Sequence, residues 1–179
     1  MGDPTKYISP DVCVDFTSFK MKENNNSVSI SDTKGFKPTD TFKVSISYFA
    51  GYKSTGQLTV SGPNALEKAK KTSEIIWKRL SQNGFNYKET NTEFLGYNSC
   101  HKSIKGKYLG SNEVVLRLSV KDDDYNTVER FGKELSPVIT SGPPGITGFS
   151  GGRPKPQEII AYWPALIDKK FIKTKSKIL

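Results

Sequence analysis

At 179 residues, with 35% hydrophobic residues, a mean hydropathy of −0.53 and a net charge of +9, the chain fits one soluble globular domain and is too apolar to be disordered throughout. No apolar run approaches the roughly 20 residues of a membrane helix, and Met1–Lys6 lacks the charged-then-apolar order of a signal peptide, so no membrane association is expected. Cys13 and Cys100 are far apart and outside any CxxC pair, which suits a reducing, cytoplasmic setting and argues against a metal site.

Residues 1–40 contain loops at Asn24-Asn25-Asn26 and Lys34-Gly35-Phe36-Lys37-Pro38, with alternation at Val12, Val14, Phe16 and at Val28, Ile30 that predicts two short strands. Phe42–Tyr48 and Gln57–Val60 read as a hairpin around Ala50-Gly51-Tyr52-Lys53. Gly62-Pro63-Asn64 opens a helix, with Asn64 as its cap or Pro63 in its first turn. Leu66, Ala69, Ser73, Ile76 and Leu80 form its buried stripe, and Gly84 ends it. A strand near Thr90–Tyr97 and a stronger one at Val114–Val120 follow. Asp122-Asp123-Asp124 marks the start of a second helix with stripe Val128, Phe131, Leu135 and Val138, expected to end or bend at Pro137. The last strand is Glu158–Trp163.

From residue 56 the order β-α-β-β-α-β predicts an α+β fold: a ferredoxin-like core with an antiparallel sheet, extended by an extra N-terminal hairpin strand. The organisation is then a wrapping segment with short strands (1–40), the α+β core (41–167) and a basic C-terminal tail (168–179).

The positive charge invites a nucleic-acid reading, but acids slightly outnumber bases through Asp40. The excess lies on the first helix and in Lys169–Lys177. Few of the 27 bases are arginine, the residue that reads guanine bidentately, so no nucleic-acid partner is expected.

The segment from Thr140 to Pro154 holds five glycines with Ser141, Thr147 and Arg153. Glycines at 142, 145, 151 and 152 permit close backbone approach, and Arg153 can receive a carboxylate or phosphate. Ser141, Gly142, Gly145, Thr147, Gly151, Gly152 and Arg153 are therefore the candidate ligand-binding residues for a small acidic ligand. The spacing matches neither a P-loop nor a dinucleotide fingerprint, and the alternative is a structural connection. Ser99 and His101 share a face if extended and are the candidate catalytic pair, though no nearby acid completes a triad. The alternative is an ordinary loop histidine. A helix N-terminus accounts for the aspartate cluster, and the ligands for zinc or calcium are lacking.

Asp3-Pro4-x-x-Tyr7-Ile8-x-Pro10-Asp11-Val12, Thr41–Ser45, Gly62-Pro63-Asn64-Ala65, Glu74–Leu80, Ser141-Gly142-Pro143-Pro144-Gly145, Gly151-Gly152-Arg153-Pro154 and Ala161–Ile167 together resemble the acyclic terpene utilisation protein A (AtuA-like) family, in order and over nearly the whole chain. The resemblance implies a role in catabolism of acyclic isoprenoids such as citronellol and geraniol, whose later steps run on coenzyme A thioesters. It implies a thioester as a possible substrate, and no cofactor is expected. Family members are usually longer, with an α/β region ahead of this part. The chain is thus expected to be a partial-length member or an excised domain, not catalytically complete by itself. Its partners are then the rest of its own protein or a second copy. A noncatalytic assembly or oligomerisation domain is the rival reading.

Overall fold

A computed structural model of the chain describes residues 3–97, 99–100, 111–148, 151–173, 175 and 177. The elements run β1 (Lys6–Ile8), β2 (Cys13–Asp15), β3 (Lys20–Asn24), β4 (Ser27–Ser31), β5 (Lys34–Phe36), β6 (Thr41–Ser61), α1 (Ala65–Gln82), β7 (Glu89–Leu95), β8 (Glu113–Asp122), α2 (Tyr125–Ser141), β9 (Ile146–Thr147), β10 (Gln157–Asp168) and a 3-10 turn at Lys169–Phe171. This is a mixed fold with two helices and antiparallel pairing. It divides into two compact units, residues 48–161 and residues 1–47 with 162–179.

In residues 48–161 the sheet order is β10-β6-β8-β7, with β9 pairing β6. Val114, Leu116, Leu118 and Val120 alternate along β8 onto the helix-covered face, beside Leu58 and Val60 of β6, and all six are buried. The helical stripes expected from three-four spacing meet them: Leu66, Ala69, Ser73, Ile76 and Leu80 from α1, and Val128, Phe131, Leu135 and Val138 from α2, are buried. The opposite face of the strands is polar. There Thr55 and Ser119 share a hydroxyl hydrogen bond of 3.0 Å, and Arg117 and Lys121 pair with Glu93 and Glu89 across the β7–β8 ladder at 2.7 and 2.6 Å.

The hairpin expected within residues 42–60 is instead one strand of 21 residues, so the sheet gains no separate N-terminal strand. A type I′ hairpin needs two residues suited to positive φ, and Gly51 stands between Ala50 and Tyr52. Gly51 has φ +94°, and a Cβ there would stand 2.7 Å from the Asp122 carbonyl oxygen. The glycine absorbs a local distortion while the antiparallel ladder with β8 runs on from Tyr52↔Asp122 to Ser61↔Glu113.

Asn64 occupies the N-cap of α1, but in the left-handed region (φ 58°) and without a side-chain cap bond. At the other end Phe85 N–H donates to the Leu80 carbonyl at 3.0 Å and Gly84 N–H to Ser81 at 3.0 Å, a Schellman closure around Gly84 at φ +80°. Asp124 caps α2, accepting from the Thr127 amide at 2.8 Å. The Thr127 hydroxyl and amide together hold its carboxyl below the ordinary range. Pro137 does not end α2, which runs on to Ser141. The proline removes one N–H bond, but Val138 just beyond it is buried in the core and its carbonyl accepts from Gly142 N–H at 3.0 Å.

The other unit carries the three-stranded antiparallel sheet β1-β2-β5 and the β3–β4 ribbon. Five strands thus occupy a region from which alternation predicts two. Lys169 holds this unit together: its amide donates to Asp40 at 2.9 Å, its ammonium donates to Pro10 at 2.8 Å, and it lies 5.1 Å from the Phe42 ring centre. Among the described residues, the buried apolar side chains all fall between Leu58 and Ile146, outside this unit.

Candidate functional site

The glycine-rich connection after α2 has two parts with different roles. In the first, Gly145 (φ +84°) offers its carbonyl to the Ser61 amide at 2.9 Å and hydroxyl at 3.2 Å, and Lys68 donates to Pro144 at 3.1 Å. Ile146 and Thr147 then pair with Val60 and Thr59 of β6, and Ile146 is buried in the core. Ser141 closes α2, Gly142 is its C-cap, and Thr147 is exposed in β9. Ser141, Gly142, Gly145 and Thr147 line neither of the two grooves described next.

The second part, Gly151 to Lys155, forms a rim between two adjoining grooves. One, of about 160 Å³, has apolar walls from Leu58, Leu135, Ile139 and Pro154. The other, of about 410 Å³, is bordered by Thr55, Gly151, Lys155 and Gln157. Gly152, Arg153 and Pro154 belong to both. Arg153 is exposed, and among the described residues no carboxylate pairs with it. Its neighbour Pro154 is seated on two bare positions. A Cβ at Gly56 of β6 would stand 3.2 Å from the Pro154 ring, and a Cβ at Gly132 of α2 would overlap the Pro154 carbonyl oxygen. Gly151 and Gly152 precede Arg153 at φ 148° and 71°, conformations that side chains rarely adopt.

Of the grooves' borders, sequence reasoning found Gly151, Gly152 and Arg153 and missed Lys155 and the apolar wall, and it missed Gly56 and Gly132, which seat Pro154. One signal was available: a glycine inside an otherwise periodic helix, at 132, costs about 1 kcal/mol and implies a packing reason.

The remaining candidates lie elsewhere. Ser99 has a buried hydroxyl without a hydrogen-bond partner among the described residues, and His101 lies outside the described residues. The aspartate cluster is absorbed locally: Asp122 accepts from Lys88 N–H at 3.1 Å, Asp123 pairs with the Lys88 ammonium, and Asp124 caps α2. Among the described residues no group of three His, Cys, Asp or Glu side chains is placed to hold a metal ion.

A buried polar cluster went unnoticed in the sequence. Glu134 of α2 is 2% exposed and accepts from Arg79 of α1 at 2.9 Å and from Arg130. The Arg130 guanidinium also lies 5.6 Å from the Phe85 ring centre. The buried Tyr87 hydroxyl and Arg130 Nε have no hydrogen-bond partner among the described residues. Burial pushes the Tyr87 phenol up to about 12, opposed by Arg130 and reinforced by Glu134 and Asp122.

The model of the acyclic terpene utilisation family protein AtuA matches residues 1–178. The chain belongs to the AtuA family. Searches of curated proteins and of solved structures found no match. The glycine-rich rim at Arg153 is thus a feature of an AtuA family chain, and the family's name associates its members with acyclic terpene utilisation. Among the described residues no helix is long and apolar enough to cross a membrane.

Proposed function

We propose that this AtuA family chain serves acyclic isoprenoid catabolism by holding an anionic or acyl-thioester ligand at the rim formed by Gly151, Gly152 and Arg153. One observation carries the reading: Arg153 is an exposed cation without an ion-pair partner among the described residues, on a rim anchored by Pro154 against Gly56 and Gly132. A guanidinium offers two parallel N–H donors to a carboxylate or phosphate, and anchoring lowers the entropy lost on binding. Lys155 on the same groove adds a second positive charge. The role is binding rather than turnover, in the cytoplasm, where two unpaired cysteines fit a reducing setting. The order β10-β6-β8-β7 around two helices supports a ferredoxin-like reading of residues 48–161. Calorimetry of the wild type, Arg153→Ala and Arg153→Lys against coenzyme A, an acyl-coenzyme A and phosphate tests the proposal. Binding should disappear in the alanine variant and weaken by roughly 1–3 kcal/mol in the lysine variant, which keeps the charge and loses the fork. Equal binding by wild type and Arg153→Ala removes Arg153 from the site. No binding at all leaves the loop as a clasp between α2 and β10.

A second reading, assembly, is favoured by a separate observation. In the unit of residues 1–47 and 162–179, Met21, Val28 and Ile30 lie 59–66% exposed on the β3–β4 ribbon, and Trp163 and Leu166 are 62% and 70% exposed on β10. A two-stranded ribbon is marginal alone, and exposed apolar strands call for cover. The cover is a second copy or the rest of a longer protein. Light scattering at micromolar and higher concentrations should give a dimer or larger species, and a clean monomer mass counts against self-association.

A further inference from the structure

Resting on the anion site just proposed, we infer that its ligand is a short-chain aliphatic carboxylate of about six carbons or fewer. Arg153 and Pro154 stand where two grooves meet, one the more apolar and the other the more polar. On one side the guanidinium, Lys155 and Thr55 offer charge and hydrogen bonds. On the other, Ile139, 38% exposed, and Pro154 offer an aliphatic wall over the buried Leu58 and Leu135. A molecule bridging the two carries its charge at one end and its hydrocarbon at the other.

The apolar side sets the length. Its volume, about 160 Å³, is close to that of an apolar protein cavity that accepts one benzene, so it accommodates roughly six carbons. Its floor has little room to yield. The Leu135 side chain is packed directly over Gly56, where even a Cβ would overlap its Cδ1 methyl, and both residues are buried. Protein interiors at such contacts are close-packed, so deepening the cleft requires moving α2 from β6. A ten-carbon chain therefore exceeds what the cleft encloses and leaves its far end in water.

NMR titration of the full 179-residue chain with acetate, butanoate, hexanoate, octanoate and decanoate tests both halves. Affinity should rise by about two- to fourfold per methylene up to hexanoate and then level off. Arg153→Ala should weaken every member of the series. Ile139→Ser alters a partly exposed wall residue and should flatten the chain-length dependence, which Arg153→Ala should leave in place. Arg153-dependent binding with no dependence on chain length overturns this inference and leaves the anion site standing. Affinity that keeps climbing through decanoate overturns the size limit. If acetate and its homologues, phosphate and coenzyme A all fail to bind, the anion site itself falls, and the inference with it.

Discussion

The carbonyl of Pro154 lies so close to Gly132 that a methyl group on that glycine would overlap it, and Arg153 Cγ would lie 3.4 Å from the same methyl. A helix and a loop therefore meet backbone to backbone, and the cation beside the contact is placed by it.

Gly132→Ala separates two opposing effects. In an ordinary helix interior the substitution stabilises by about 1 kcal/mol through helix propensity. Here the added methyl must displace the loop, which costs about 1–3 kcal/mol and should outweigh the gain. Thermal and denaturant unfolding should show a net loss of stability, accompanied by weaker ligand binding at Arg153. A variant more stable than wild type would mean that the loop moves aside freely.

Glu134 is the buried anion between two guanidinia that are 48% and 36% exposed. Glu134→Gln leaves Arg79 and Arg130 facing each other without a counter-charge. The cost should be about 1–3 kcal/mol, below the value for a fully buried pair because both cations reach water. Combining it with Arg79→Ala should cost less than the sum of the separate changes, and strict additivity would show that the two residues are not coupled.

Tyr87 imposes a pH dependence at the alkaline end. Its folded pKa, about 12, lies above the ordinary value of 10.0, so the unfolded chain releases this proton first as pH rises. The contribution is complete below about pH 10 and is lost as pH climbs toward about 12. The full shift corresponds to about 2.7 kcal/mol, and solvent screening around a partly buried ring reduces this to about 1–2 kcal/mol. Across this window the denaturation midpoint of the wild type should fall further than that of Tyr87→Phe, which lacks the titrating phenol. Parallel curves would place the phenol in ordinary solvent.

Gly84 tests backbone conformation without sterics. It sits at φ +80° with open space where a Cβ would go. Gly84→Ala should cost about 1 kcal/mol from left-handed backbone strain alone, and Gly84→Asn less. Equal stability of Gly84→Ala and wild type would show that the Schellman turn relaxes to another closure.

Both helices and the strand β8 were legible because each buries one periodic face against a single core. The spacing Val128, Phe131, Leu135, Val138 and the alternation Val114, Leu116, Leu118, Val120 are local statements of where that core lies. The motifs carrying the resemblance to the acyclic terpene utilisation family were equally local, and the family follows from residue order alone. The course of β6 through Gly51 was not legible, because a lone glycine serves a turn or a distortion equally well. The ladder with β8, supplied by residues more than fifty positions away, chose between them.

The same division runs through the site. By itself the sequence determined that a glycine-rich connection with one arginine follows the second helix, since composition and order are enough to say so. Only the tertiary structure decided that Ser141 to Thr147 is stitched to the end of α2, α1 and β6 while Arg153 rims two grooves. That decision rests on Gly56 and Gly132, 76 residues apart in the chain, meeting the same proline. Close packing between distant segments depends on the shape of both partners, and no local pattern of charge, periodicity or turn residues encodes it.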